Sequence, residues 1–139
     1  MVFFKDLVDT FLSWEYFLFE MLLTKSKYLI GLQCPRYFWT AIHQKESIPE
    51  PDACAQFRFD EGTKIGELAT KFYQEGIDLS SLSFIENLEK SEEMLKEKKP
   101  LFEAGFKFGD CYSRCDVLVP IGDEWDIVEV KSSTSVKEI

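Results

Sequence analysis

The chain has 139 residues, of which 45% are hydrophobic and 15% aromatic, and its formal net charge is −9. This length fits one domain that buries its own core, and the apolar content excludes a disordered chain. A negative net charge argues against a nucleic-acid partner. The charge is uneven, however, because residues 21–45 hold no acid and four basic residues, Lys25, Lys27, Arg36 and Lys45. That stretch can meet phosphates or form a solvated helix face, and charge alone does not separate the two.

Residues 1–22 predict an amphipathic helix that packs on the core or on a partner. Charged residues interrupt the apolar positions, so no run approaches the roughly 18 residues of a membrane span. A signal peptide would need a basic start and an unbroken apolar core. Membrane-surface binding is the weaker alternative, because the charges are mostly acidic. Four cysteines without a secretory signal favour a cytoplasmic protein.

Four further helices are predicted from their start and stop signals. A capping residue or a proline marks each start, and glycine or proline closes the later ones. The starts are Thr24, Pro35, Asp52 and Ser83, and the corresponding ends are Leu32, Gln44, about Glu75 and Lys98.

The helix that Asp52 caps carries an apolar stripe, which we expect to be buried: Ile65, Leu68, Ala69 and Phe72. Gly62 and Gly66 would let a neighbouring backbone approach this helix closely. Glu67 lies off the stripe. It is either exposed to solvent or directed at an acidic site elsewhere in the fold.

Three strands are predicted at residues 102–108, 112–119 and 125–131, where apolar and other residues alternate. The dipeptides Gly109-Asp110 and Gly122-Asp123 separate them and are typical of two-residue hairpin loops. The result is a three-stranded antiparallel meander that follows the helices, an α+β domain.

These registers bring three carboxylates into one row. Glu103 falls opposite Asp116, Asp116 falls opposite Glu129, and Lys131 shares the face of Glu129. Directly opposed like charges destabilise a sheet, so a cation between them is the simplest explanation. Hard oxygen ligands favour Mg²⁺ or Mn²⁺. Such an ion beside a lysine can activate water and stabilise charge on a phosphoryl group, which points to phosphodiester hydrolysis.

The segments RCDVLV at 114–119 and IVEVKSST at 127–134 resemble the signature of the PD-(D/E)XK nucleases in their RecB-like form. TKSKY at 24–28, GLQCPRYFW at 31–39 and GTKIGELA at 62–69 are similar to earlier motifs of the same group. The chain looks most like an uncharacterised bacterial family related to the CRISPR-associated exonucleases. The resemblance covers residues 23–139, and the ordered set of motifs is much more specific than a lone Glu-x-Lys.

This resemblance implies the front, αβββ, part of a restriction-endonuclease-like fold and a Mg²⁺- or Mn²⁺-dependent deoxyribonuclease. Asp116 and Glu129 would hold the metal, and Lys131 would complete the catalytic set. Glu103 and Glu67 would be auxiliary metal ligands. The uneven charge of the chain, rather than the resemblance, suggests that DNA would lie along the basic residues Lys25, Lys27 and Arg36.

The chain departs from the family at two places. Gly66 stands where the relatives usually have a metal-binding histidine, and the sequence stops at Ile139, before the helix with a Gln/Tyr motif and the last strand of the family's domain. These departures favour an alternative, an inactive or split nuclease-like module that binds a complementing C-terminal segment or another protein chain. A structural α+β domain with solvent-facing acids is a third possibility.

Cys34 occupies the place of the first cluster cysteine in iron–sulfur members of the group. The other cluster ligands of those relatives follow the nuclease core, so no iron–sulfur cluster is expected here. We expect the four cysteines to pack in the interior instead.

Overall fold

The structure is a computed structural model that describes residues 22–132. It combines four α-helices with one mixed sheet of five strands, so the predicted α+β class is confirmed. The amphipathic helix predicted for residues 1–22 lies outside the described residues except for Leu22, which is buried.

The helices are α1 (Lys25–Gln33), α2 (Pro35–His43), α3 (Ala53–Thr70) and α4 (Phe84–Met94). All three predicted caps are confirmed: the Thr24 hydroxyl accepts the Lys27 N–H, the Asp52 carboxylate accepts the Ala55 N–H, and Ser83 forms a capping box with Glu86. Helix α3 ends before the predicted Glu75. After α4, a short 3₁₀ helix covers Leu95–Glu97.

The strands are β1 (Leu23–Thr24), β2 (Ile77–Asp78), β3 (Leu101–Phe108), β4 (Cys111–Ile121) and β5 (Glu124–Val128). Strands β3, β4 and β5 pair antiparallel in chain order. Gly109 and Gly122 supply the positive φ of the two turns, +55° and +61°. Both turns have the two-residue length that the Gly-Asp dipeptides predict.

Strands β1 and β2 were not predicted, and they make the sheet mixed. Strand β1 runs parallel to β4, with Leu23 beside Cys111, and β2 runs parallel to β3, with Ile77 beside Leu101. Each has only two residues, too few to show an alternating pattern. The connection from β2 to β3 runs through α4, as parallel pairing requires a crossover.

One edge of β4 is shared between two strands. Because β3 pairs with residues 111–118 along one edge, β1 and β5 must lie along the other, β1 beside Cys111 and Tyr112 and β5 beside residues 117–121. Residues 113–116 lie between them. The last position of this interval is Asp116.

The core lies between the sheet and α4. Leu79, Leu101, Ala104 and Leu118 are buried together, and half-buried side chains surround them: Ile77, Leu82, Met94, Leu95, Phe106 and Trp125. Two polar residues of α4, Asn87 and Ser91, are also fully buried and hydrogen-bond to the strand region. Burial of satisfied polar groups fixes how a helix sits on a sheet.

Helix α3 does not bury its apolar stripe among the described residues. Leu68 is 48% exposed and Phe72 84% exposed, so the predicted burial of these side chains is wrong. A Cβ added at Gly62 or Gly66 meets nothing within 4 Å, which also contradicts the predicted close approach. The stripe shows that α3 is amphipathic, but it cannot show what covers it. Within residues 22–132, no helix is long and apolar enough to cross a membrane.

Candidate functional site

The strand registers bring the predicted acids to neighbouring positions. The pairs Phe102–Val117 and Ala104–Cys115 flank Glu103 and Asp116, which therefore stand in register. The pair Val117–Val128 comes directly before Asp116 and Glu129. Beyond the end of β5, the Val130 N–H donates to Oδ2 of Asp116 at 2.6 Å. This hydrogen bond ties the Glu129–Lys131 segment to the Asp116 side chain.

Two ammonium groups converge on Glu129. Nζ of Lys131 and Nζ of Lys25 both donate to Oε1 of Glu129, and each contact is also an ion pair. The hydrogen bond from Lys131, and next that from Lys25, lower the pKa of the Glu129 carboxyl. Glu129 is therefore held in its charged form, the form in which a carboxylate accepts hydrogen bonds or binds a metal.

Glu103 has an unusual backbone conformation for a strand residue. Its φ is +56°, a left-handed value that residues with a side chain adopt rarely. Its carbonyl accepts a hydrogen bond from Nδ2 of Asn87, and its carboxylate lies 3.9 Å from the Arg114 guanidinium.

Burial raises the pKa of the Glu103 carboxyl. Arg114 opposes the rise, whereas the charges of Asp116, Asp78 and Glu129 add to it. The repulsion expected among the three acids thus helps to raise the pKa of Glu103, while the lysines keep the pKa of Glu129 low.

The other predicted site residues are dispersed. Glu67 is exposed on α3, which agrees with the first of its two predicted placements. Nζ of Lys27 donates to the Leu22 carbonyl at 2.9 Å, and so helps to hold the start of β1. Arg36 is exposed on α2. Among the three residues predicted to bind DNA, Lys25 contacts Glu129.

The cysteines follow the packing expectation only in part. Cys115 is buried, and burial raises the pKa of its thiol, with Asp116 and Glu129 adding to the effect. Cys34 is half-buried at the start of α2, whereas Cys54 and Cys111 are exposed, so the predicted interior packing is wrong for these two.

Across residues 22–132, no group of three or more His, Cys, Asp or Glu side chains is arranged to hold a metal ion. The acids that the sheet brings together are Asp116 and Glu129, with Glu103 drawn toward Arg114. Two carboxylates suit Mg²⁺, which is usually bound through one or two carboxylates, substrate phosphates and waters rather than by an all-protein cage.

Sequence reasoning missed two contacts of this site. Lys25 was assigned to a phosphate-binding strip, but it also reaches Glu129, because β1 places the start of α1 on the same edge of β4 as β5. Arg114 approaches Glu103 from the facing strand. Its position two residues before Asp116, which puts both side chains on one face of β4, was the available signal.

No family model, curated protein or solved structure matches the chain.

Proposed function

We propose that this protein is a metal-dependent nuclease of the PD-(D/E)XK type that hydrolyses DNA phosphodiester bonds. The observation that carries the proposal is the hydrogen bond from the Val130 N–H to Asp116, because it joins the Asp116 carboxylate to the segment that holds Glu129 and Lys131. These are the three residues that the signature assigns to the chemistry.

Asp116 and Glu129 would hold a Mg²⁺ or Mn²⁺ ion. Their donor chemistry fits, since both are hard oxygen ligands and the lysines keep the Glu129 carboxyl ionised. When bound, such an ion supplies a water of lowered pKa and positive charge opposite the phosphoryl oxygens. Glu103 serves as an auxiliary acid.

The lysines account for the rest of the chemistry. The Lys131 side chain is 66% exposed and reaches Glu129, so its ammonium can orient a water or a phosphate oxygen without leaving the site. Lys25 is 52% exposed and contacts the same carboxylate, although it lies near the other end of the chain. We assign it to the phosphate of the substrate, together with the exposed Arg36.

The arrangement of elements supports the front part of a restriction-endonuclease-like fold. Helices precede three consecutive antiparallel strands, and the acids stand on the second strand and just past the third. The short parallel strands β1 and β2 are additions to this plan. Glu67, exposed on α3, is kept as a second auxiliary acid.

The test is cleavage of fluorescent single-stranded and duplex DNA by the full chain at low salt with Mn²⁺. We expect feeble cleavage, because the basic strip is short and the protein is acidic overall. Lys131→Ala should lower the rate at least about 100-fold. Lys107→Ala is the matched control, since Lys107 is an exposed lysine of β3 away from the row of acids.

A thermal melt makes the metal assignment independent of activity. Mn²⁺ should raise the melting temperature of the parent chain and leave that of Asp116→Asn unchanged, because an ion that binds only the folded state stabilises it by mass action. Cleavage that survives both Lys131→Ala and EDTA would overturn the proposed mechanism.

A second function, a nuclease-like module that binds another protein, is favoured by one observation. The apolar face of α3 is open among the described residues, with Phe57 and Leu68 exposed, and so is Phe72 just past the end of the helix. Exposed apolar patches of this kind often mark interaction surfaces. Stabilisation by Mn²⁺ without cleavage of any DNA substrate would select this function over the first.

A further inference from the structure

Asn87 is fully buried on α4, and its side chain forms hydrogen bonds with the backbone of two other segments. Its amide Nδ2 donates to the Leu79 carbonyl at 2.8 Å and to the Glu103 carbonyl at 3.0 Å. Its Oδ1 accepts from the Ser91 hydroxyl, which in turn accepts the Gly105 N–H at 2.9 Å. The amide therefore has partners for both of its donor hydrogens and for its oxygen.

This network leaves no space at Gly105. A Cβ there would lie 2.3 Å from Oδ1 of Asn87 and 2.8 Å from the Tyr112 hydroxyl oxygen. Helix α4 thus lies close to β3 at Gly105, two residues beyond Glu103. The approach needs glycine at 105 and places the Asn87 amide beside the Glu103 peptide.

The consequence is a flipped peptide in the middle of a strand. In a regular antiparallel ladder, the carbonyl of a strand residue accepts from the neighbouring strand. At Glu103 the carbonyl instead accepts from α4, φ is +56°, and the side chain faces Arg114 across the sheet at 3.9 Å. A left-handed glutamate persists only where its surroundings enforce it.

We propose that Asn87 is a positioning residue of the candidate site: by holding the Glu103 carbonyl it fixes the left-handed backbone that places the Glu103 carboxylate beside Arg114, next to Asp116 and Glu129. The role of that carboxylate toward a metal rests on the proposed function. The backbone effect of Asn87 on Glu103 does not.

The first test measures the backbone conformation of Glu103 in the metal-free full chain by NMR, from its ¹³Cα and ¹³Cβ shifts and its amide–Hα coupling. We expect left-handed values in the parent chain and extended values in Asn87→Ala. Ser91→Ala is the matched control, because it removes two buried hydrogen bonds of the same network, to Oδ1 of Asn87 and from the Gly105 N–H, and leaves the donors to the Glu103 carbonyl in place. A left-handed Glu103 in Asn87→Ala would overturn the proposal.

Asn87→Ala removes the amide donor from the Glu103 and Leu79 carbonyls, of which the Leu79 carbonyl keeps the Leu82 N–H at 3.4 Å, and the variant can fail to fold. Asn87→Ser is therefore the second variant, since a hydroxyl retains one donor but is too short to bridge both carbonyls. Its Glu103 shifts should move toward extended values. Shifts identical to those of the parent chain would count against the proposal in the same way.

The second test is a double-mutant cycle on Mn²⁺ affinity, measured by calorimetry. Asn87→Ala and Glu103→Gln should each weaken binding about 10-fold, and the double variant should be no weaker than Glu103→Gln alone. Ser91→Ala should bind as the parent does. Additive losses would mean that Asn87 acts through general stability, and would overturn the positioning role.

The two tests also separate this inference from the proposed function. If the parent chain binds no Mn²⁺, or if Glu103→Gln binds it unchanged, the metal role of the acids fails. The NMR comparison then still decides whether Asn87 sets the conformation of Glu103.

Discussion

Helices α3 and α4 start in the same way and end in different surroundings. Each has a capping side chain that accepts a backbone N–H three residues on, from Asp52 in α3 and from Ser83 in α4. Helix α4 buries Asn87 and Ser91 against the sheet, whereas α3 has no buried residue in the described part of the chain. Local signals therefore define where a helix starts, and contacts distant in sequence decide how much of it is buried.

The difference extends to the two faces of β3. Leu101 belongs to the core beneath α4 and has no exposed surface. Its neighbour Phe102 points to the other face, where its ring contacts Tyr73 with centroids 6.4 Å apart. Beyond Tyr73 the same layer opens into a groove of about 380 Å³ lined by Ile65, Leu68, Ala69, Phe72, Tyr73 and Val128. One face of the sheet is thus closed by a helix, and the other is closed in part.

The largest expected effect compares two apolar side chains. Leu101→Ala should lower the free energy of unfolding by about 3 kcal/mol, because it removes fully buried methyl groups and leaves a cavity. Phe72→Ala should change it by less than about 0.5 kcal/mol, since Phe72 is 84% exposed. Urea unfolding measures both. A loss at Phe72 as large as that at Leu101 would show that the α3 face is covered in solution, and the contrast between the helices would disappear.

A pair of glycines sharpens the comparison. Gly105→Ala should destabilise the protein by about 2 kcal/mol, because the new Cβ overlaps Oδ1 of Asn87. Gly62→Ala, in the open helix α3, should raise stability by about 0.5–1 kcal/mol through helix propensity. Thermal unfolding gives the sign of each change, and Gly66→Ala repeats the second measurement at an equivalent site. Destabilisation by Gly62→Ala would mean that another backbone does approach α3 there.

The smallest expected effect carries the contrast into the site. Glu103 lies against the closed side, where burial raises its pKa, so its contribution to stability is present below the ordinary glutamate pKa of 4.5 and is lost as the pH rises through the folded value. Glu129 lies at the open edge, where Lys131 and Lys25 lower its pKa. Its contribution is present above 4.5 and is lost as the pH falls through the folded value.

Glu103→Gln and Glu129→Gln should therefore change the pH dependence of stability in opposite directions. From pH 4 to pH 7, Glu103→Gln should gain stability relative to the parent chain and Glu129→Gln should lose it. The differences should be about 0.5 kcal/mol, because both carboxylates are partly exposed and solvent screens their interactions. Urea unfolding at the two pH values measures them. Changes of the same sign would show that the two acids share one environment.

The parts of the fold that could be predicted from sequence depend on neighbours in the chain. The turns at Gly109-Asp110 and Gly122-Asp123 set the registers of β3, β4 and β5, and the capping residues set the helix starts. Strands β1 and β2 could not be predicted, because a two-residue strand is defined only by its pairing with a neighbouring strand. The amphipathic stripe of α3 indicated a helix correctly, but not its partner.

In the candidate site, too, some features follow from local sequence and others from contacts between distant segments. The positions of Asp116 and Glu129 follow from local turn lengths, and so could be predicted. The flipped peptide of Glu103 depends on Asn87, and the pairing of Glu129 with Lys25 depends on β1. Neither contact leaves a periodic pattern in the sequence, since each joins segments that only the tertiary fold brings together.

The pairing of Lys25 with Glu129 also has a consequence for when the site forms. The two residues are 104 positions apart, and the contact requires β1 and β5 to have reached the same edge of β4. Bringing such distant segments together costs chain entropy before any contact offsets it, so pairings of high sequence separation tend to form late in folding. During synthesis the basic partner leaves the ribosome long before the acid. An emerging chain therefore has Lys25 but no assembled acidic row until β5 and Glu129 have been added.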